Sequence, residues 1–402
     1  MIAHFPARDL WWLAAGGLGY GARYLRLRVR AGRIHPPDAT GNLLRLQTLY
    51  GYNAHSLVSI AHGVRVWTTP DIDGAIVYND SGRVRLATGD PLADESEASE
   101  LARQFILAAR NAGRIAAFVP TTTRFAESMA GADLTTVIIG AAPYFDLKSW
   151  EPRGDRAKRL RAGLNQAKRA GVVVEAVQTV EEGLRDEAVG LCREWLKSRR
   201  AATNFGWLFE LDPFRHAAYK RFFTARDATG RLVGLLAASP IPARNGWYLE
   251  DVLRGPDAPP GTTDSLIVGA FRSLRDDGAG VATLGTCPLA NDGEVIIRTG
   301  EYRLVESALR LTATRLGSFY NFAGVRSFKA KFVPSWWESE YAIASRGLLM
   351  PSRVAHAVIR AILPGGITSL LSRQAMRVGA DQIKIGGPLK KSIDSRNRYG
   401  NP

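Results

Sequence analysis

Apolar residues recur along this chain in short alternating runs set between longer stretches of helical spacing. Ala39 to Gly51 predicts a helix, with Leu43, Leu46, Leu49 and Tyr50 roughly on one face. Gly63–Thr68, Gly74–Tyr78 and Arg83–Thr88 predict strands, separated by Asp71-Ile72-Asp73-Gly74 and Asn79-Asp80-Ser81-Gly82, whose Asp, Asn and Gly residues form turns. A second helix opens at Asp94, a cap with Glu97 three residues on, and buries Leu101, Phe105 and Ala109. Gly113 closes it, and Ile115–Val119 predicts the next strand.

The second half repeats this grammar. Arg153 to Ala170 predicts a basic helix ended by Gly171, followed by a strand over Val172–Val177. Val180 to Arg200 predicts a long amphipathic helix carrying Leu184, Ala188, Leu191 and Trp195 at helical spacing. A hairpin follows, Phe222–Arg226 to Leu232–Ala238, then a strand over Trp247–Leu253, a helix around Ser265–Asp276 and a strand over Val281–Leu284. Two mixed halves, each with meandering strands and a helix on the sheet, predict an α/β (α+β) fold of two tandem GNAT-like acyltransferase domains. The expected boundaries are a basic, aromatic segment over 1–38, a first domain over 39–145 and a second, catalytic domain over 146–346. Amphipathic helices over 347–379 and a disordered tail over 380–402 complete the division. The apolar face of Val354, Ala357, Val358, Ala361 and Ile362, resumed by Ile367, Leu370 and Leu371, suits either a lipid interface or the body of the protein.

Charge changes the picture. The chain of 402 residues holds 53 Lys and Arg against 38 Asp and Glu, a formal charge of +15. That excess points to a polyanionic partner, nucleic acid or an anionic membrane surface. Near the N-terminus, Trp11, Trp12 and Tyr20 stand beside Arg23, Arg26, Arg28 and Arg30, but the apolar patch is too short to span a bilayer. Cys192 and Cys287 are far apart, and the histidines at 4, 35, 55, 62, 216 and 356 do not pair at ligand spacing, so neither a disulfide framework nor a metal is expected. No Walker sequence, GxSxG elbow or HExxH helix occurs. Arg231-Leu232-Val233-Gly234 lacks the second glycine that would let backbone approach a pyrophosphate, which disfavours acyl-CoA; no cofactor is expected.

Four runs carry candidate chemistry. The first follows Tyr144-Phe145-Asp146 with a basic helix whose Lys158, Arg159, Arg161, Lys168 and Arg169 suit phosphates, although a solvated surface helix would look the same. The second is Glu250-Asp251-Val252-Leu253-Arg254, where alternation cannot keep all three charges on one face. An acid and an arginine there can bind a substrate amine and phosphate, or form an internal ion pair. The third, Thr283-Leu284-Gly285-Thr286-Cys287-Pro288-Leu289, takes a strand into a loop that can offer backbone amides. The fourth is Phe319-Tyr320-Asn321-Phe322 through Arg326, Lys329, Lys331 and Phe332 to Pro334, Trp336, Trp337 and Tyr341. Aromatics interleaved with cations there can stack on bases and hold phosphates, or pack a core.

In this order the four runs resemble the catalytic domain of the phosphatidylglycerol lysyltransferases, also called multiple peptide resistance factors. The second run is similar to that family's Asp-x-x-Arg segment before a Pro/Gly loop and Met-Asp, here Pro256 to Asp264 with Thr263 in place of Met. The third is similar to its Leu-Gly-Met-Ala-Pro-Leu loop, with Thr286 and Cys287 as variants, and the fourth to its Tyr-Asn-Phe…Lys…Lys-Phe segment. Gly89-Asp90-Pro91 resembles its Gly-Asp-Pro turn, whereas Gly140-Ala141-Ala142-Pro143 lacks the glutamate that often follows that glycine. The likeness covers about residues 40–345.

The resemblance implies a stand-alone member without the flippase part, with a tunnel between two domains. It implies transfer of an aminoacyl group from aminoacyl-tRNA to the hydroxyl of an anionic membrane lipid, in the cytoplasm at the inner face of the cell membrane as a peripheral protein. Asp251, Arg254 and Lys329 are the implied catalytic residues. Substrate-binding candidates are Trp207, Asp264, Gly285, Thr286, Tyr320, Asn321, Arg326 and Lys331. Two other classes compete: an aminoacyl-tRNA-dependent transferase acting on a small amine or peptidoglycan precursor, and a non-catalytic basic module that binds RNA or membrane.

Overall fold

The computed structural model describes residues 37–131, 133–198, 211–288, 322–345 and 350–362. Within the first half, α1 (Pro37–Tyr50) precedes an antiparallel meander of β1 (Arg65–Thr69), β2 (Ile72–Ser81) and β3 (Val84–Thr88). Helix α2 (Glu95–Asn111) then crosses over to β4 (Ile115–Thr121), which lies parallel to β3. Asp94 caps α2 by accepting from the Ser96 amide, and Leu101, Phe105 and Ala109 are fully buried, as their spacing predicts. The first turn is tighter than predicted: Thr69 pairs with Ile72, so Ile72, Asp73 and Gly74 belong to β2.

The second half rebuilds this plan. Helix α4 (Lys158–Arg169), β6 (Val173–Val177) and α5 (Glu182–Ser198) lead into a meander of β7 (Arg221–Arg226), β8 (Leu232–Ile241) and β9 (Gly246–Arg254). Helix α6 (Thr262–Asp276) crosses over to β10 (Val281–Thr283), parallel to β9. Meander, helix and parallel strand thus occur twice, and the fold is the mixed α/β, GNAT-like arrangement expected.

Between α3 (Thr123–Ser128) and α4 runs β5 (Leu134–Asp146), which has no counterpart in the sequence reading. Its 13 residues form the seam between the halves. One edge pairs with β12 (Trp336–Ser345); the other meets β10 at Tyr144–Asp146 and the two-residue β11 (Cys287–Pro288) at Gly140–Ala141. Strand β12 returns from the C-terminal part of the chain to lie between β4 and β5. One sheet, ordered β1-β2-β3-β4-β12-β5-β10-β9-β8-β7-β6, therefore runs through both halves.

Cores form where helices cover this sheet. Phe105 of α2 meets Trp67, Tyr78 and Phe118 edge to face, a geometry that aromatic quadrupoles favour. Across the seam, Phe271 of α6 packs on Phe145 and Trp150. Helix α8 (Met350–Ile362) turns Val354, Ala357 and Ala361 onto Val84, Leu86, Ala117 and Ala344, so its apolar face covers the sheet. The N-terminal aromatics and arginines, Ile367, Leu370, Leu371 and the tail from 380 lie outside the described residues. No described helix is long and apolar enough to cross a membrane.

Candidate functional site

Polar residues buried along the seam come from parts of the chain that are remote in sequence. The Gly89-Asp90-Pro91 turn supplies one anchor: Asp90 accepts from the Thr122 amide at 3.0 Å and hydroxyl at 2.6 Å, and from Asn53 Nδ2 at 3.1 Å. Asn53 also donates to the Pro120 carbonyl, and its Oδ1 accepts from the His55 backbone amide at 2.9 Å and lies 3.2 Å from His55 Nδ1. The other ring nitrogen, Nε2, lies 3.3 Å from the Thr286 hydroxyl. Burial first, and the Lys329 charge second, push the His55 pKa down to about 4, so the ring is neutral at pH 7.

Lys329 comes from α7 (Phe322–Ala330). Its ammonium donates to the carbonyls of Gly285 and Thr286, both at 2.8 Å. Gly285 adopts φ 72, and a Cβ there would meet the Tyr248 ring at 2.5 Å, so this loop needs glycine on both counts. Burial lowers the Lys329 pKa, and Cys287 and Glu340 oppose it. Glu340, on β12 opposite Gly140, is buried with Oε2 unpartnered. Burial raises its pKa to about 7 against the pull of Thr286 and Lys329.

Tyr248 continues the polar strip onto β9, its ring 5.3 Å from that of His55. Between Leu249 and Asp251 the register with β8 slips by one residue, a bulge that lets consecutive side chains share a face. Glu250 and Asp251 accordingly both feel Lys220. Lys220 pairs with Glu250 at 3.1 Å, with only 2% and 9% of the two side chains exposed, while Ser239 donates to the same carboxylate. Asp251 has an unpartnered buried Oδ2. Burial first and Glu250 second raise its pKa to about 8, against the attraction of Lys220. The internal ion pair considered for Asp251 and Arg254 is instead Lys220–Glu250, because Arg254 is exposed at the end of β9.

The catalytic candidates therefore fall in three places: Asp251 in the Glu250–Lys220 cluster, Lys329 by Gly285 and Thr286, and Arg254 at the rim. Among the substrate-binding candidates, Asp264 and Lys331 bind one another at 2.5 Å, with Asp264 buried. The structure makes that pair a clasp between α6 and the segment after α7. Arg326 lies 4.6 Å from the Trp337 ring centre. Trp207, Tyr320 and Asn321 lie outside the described residues. On α4, Lys158, Arg159, Lys168 and Arg169 are exposed, but Arg161 donates to the carbonyls of Pro152 and Gly154 and secures the turn before its own helix.

His55, Asn53, Tyr248, Lys220 and Glu340 were absent from the sequence candidates. Each lies in an ordinary apolar or mixed run, and only the juxtaposition of distant segments marks it. A buried carboxyl oxygen without a partner is costly, and its survival at two points of one strip, Asp251 Oδ2 and Glu340 Oε2, marks a place suited to a charged or hydroxyl-bearing ligand. Among the described residues no three metal-ligating side chains converge.

Comparison with known proteins points to one family. The family described as "Phosphatidylglycerol lysyltransferase, C-terminal" matches residues 46–344. The phosphatidylglycerol lysyltransferase of Bacillus subtilis is 23% identical over 290 residues, 71% of this chain and 33% of the relative. The MprF-like domain protein Rv1619 of Mycobacterium tuberculosis is 25% identical over 213 residues, 51% of this chain and 44% of the relative. The chain thus spans under half the length of either. Among solved structures, the C-terminal domain of a putative lysylphosphatidylglycerol synthetase from Agrobacterium fabrum superposes with a TM-score of 0.67 at 24% identity, covering 80% of this chain and 96% of that one. L-PGS from Bacillus licheniformis gives 0.66 at 20% identity, covering 84% and 97%.

Proposed function

From the premise that this chain belongs to the phosphatidylglycerol lysyltransferase C-terminal family, we propose that it transfers an aminoacyl group from aminoacyl-tRNA to the hydroxyl of phosphatidylglycerol or a related anionic lipid. The observation that carries this reading is the buried polar strip between the two halves, with the unpartnered Asp251 carboxyl at one end and the Lys329 ammonium at the other.

An aminoacyl-tRNA ester is already activated, so exchange of one ester for another needs mainly positioning, which contributes up to roughly 7–11 kcal/mol in favourable cases. Asp251 suits the α-ammonium of the aminoacyl group: a bound cation would restore its charge and supply the missing partner. Lys329 holds the Gly285–Thr286 loop by two carbonyls, and a third N–H suits a developing oxyanion. Arg254, exposed at the end of β9, suits the lipid phosphate. The exposed cations of α4 suit the tRNA backbone, and the surface as a whole suits peripheral contact with the anionic inner face of the cell membrane.

The test is incubation of the protein with total aminoacyl-tRNA and labelled lipid extract, with product identified by mass. An aminoacylated lipid that disappears after ribonuclease treatment supports the reading. Lipid modification that survives ribonuclease, or that acetyl-CoA sustains, overturns it.

A further inference from the structure

We propose that the Glu340 carboxyl moves the proton in the transfer reaction, held in place by a hydrogen-bond chain through Thr286, His55 and Asn53. This deepens the function proposed above and rests on it.

The chain has a defined direction. Asn53 Nδ2 is occupied by two acceptors, the Pro120 carbonyl at 2.9 Å and Asp90 at 3.1 Å, so Oδ1 must be the atom facing His55. That oxygen accepts from the His55 amide, and Nδ1, 3.2 Å away, must carry hydrogen to avoid opposing lone pairs. A neutral His55 then presents a bare Nε2 to the Thr286 hydroxyl at 3.3 Å.

Thr286 has one proton and two neighbours that can accept it, His55 and the Glu340 carboxylate. When Glu340 is ionised, the hydroxyl donates to it. When Oε2 carries the proton, the neutral carboxyl is the weaker acceptor and the Thr286 hydroxyl turns to Nε2. Rotation of one hydroxyl therefore follows the protonation state, which suits a group that must take a proton and return it. The unpartnered Oε2 leaves the second carboxyl oxygen available. Asp251 is suited to a different task, because Lys220 and Arg215 are the cations near it and a substrate ammonium fits its vacant oxygen. Titratable groups facing Glu340 are Lys329 on α7, Cys287 on β11, Tyr144 on β5, Asp90 in the turn after β3 and Glu338 on its own strand, with His55 behind Thr286.

In the step, the lipid hydroxyl oxygen bonds to the ester carbonyl carbon while its proton passes to Glu340 Oε2. The carbon–oxygen bond to the tRNA ribose then breaks, and the same proton goes to the departing ribose oxygen. The carboxylate is regenerated and no oxidant or further reactant is needed.

Single-turnover transfer from aminoacyl-tRNA to phosphatidylglycerol vesicles, followed from mildly acidic to neutral pH, tests this. Wild type should speed up as pH rises through about 7. Glu340→Gln should be slower by about 100–10,000-fold, the usual worth of positioned proton transfer, and should lose the pH limb. Glu340→Asp should recover part of both, and Thr286→Val should keep transfer while displacing the limb. Wild-type speed and pH profile in Glu340→Gln would overturn the inference and leave the proposed function standing. If Glu340→Gln melts far below wild type, the limb in wild type and Glu340→Asp decides, and its absence overturns the inference. A wild-type protein that transfers nothing would overturn the function and this inference together.

Discussion

Asp251 and Lys220 share one buried cluster but should fail in different ways when altered. Asp251→Asn and Lys329→Ala should each slow transfer by about 100–1,000-fold, the worth of one preorganised charge contact, with melting close to wild type for Asp251→Asn and lower for Lys329→Ala, which takes the donor from the Gly285 and Thr286 carbonyls; Arg254→Ala should act on rate likewise, chiefly on lipid concentration dependence. Near-normal rates at all three positions would refute the assignment. Lys220→Met should instead lose activity by unfolding. It leaves the Glu250 carboxylate buried without its cationic partner, a change that costs about 3–5 kcal/mol and is visible in chemical denaturation.

Asp251 also makes stability depend on pH in a direction that can be checked. Its folded pKa, about 8, lies above its ordinary value of 3.8. Protonation therefore favours the fold: the contribution is complete below about 4 and is lost as pH climbs through about 8. The melting temperature of wild type should drop relative to that of Asp251→Asn across this window, and parallel curves would contradict the assignment.

Among the elements, α4 and α6 pack with no room for a side chain at Gly163. A Cβ on Gly163 would run into the Asp264 carboxylate, which Lys331 holds from the other side. Gly163→Ala should therefore destabilise by about 1–3 kcal/mol, as overpacking does, even though alanine favours helix at an open position. Thermal melting with equal or greater stability would show that the clasp has room to give. Helix α8 carries a related consequence. Its apolar face is spent on β3, β4 and β12, so removing residues after Leu348 should lower the melting temperature as well as any affinity for anionic vesicles.

Taken whole, the molecule presents the exposed cations of α4 on the same chain as a buried reaction strip. Removing one cation from a bound phosphate should reduce the slope of log affinity against log salt by roughly one. Neutralising Lys158, Arg159, Lys168 and Arg169 together should flatten the salt dependence of tRNA binding; Arg161→Ala should mainly disturb the turn that holds Pro152 and Gly154. Filter binding at several salt concentrations separates the two, and an unchanged slope in the fourfold variant would move the tRNA to another surface. The halves are tied across β5 by Arg244. Its guanidinium pairs with Glu338 at 3.0 Å and lies 4.5 Å and 4.3 Å from the rings of Tyr52 and Tyr144, joining segments that are remote in sequence.

Local periodicity determined the elements whose neighbours in sequence supply their neighbours in space: α2 with its cap, the hairpin of β7 and β8, and α6 between β9 and β10. The runs that hold Asp251, Gly285, Thr286 and Lys329 were legible as charge and glycine set among apolar residues, and the family resemblance singled these residues out within them. Strand β5 escaped it because Gly140 and Pro143 interrupt the alternation, and β12 because its tryptophans and acids read as an aromatic surface run. Only the tertiary structure decided that these two strands lie side by side. Their pairing brings Glu340 opposite Gly140 and within reach of Thr286, while the turn after α1 delivers His55 from more than 200 residues away. Burial, which raises the pKa values of Asp251 and Glu340 and lowers that of His55, is a property of that assembled seam and has no counterpart in the order of residues along the chain.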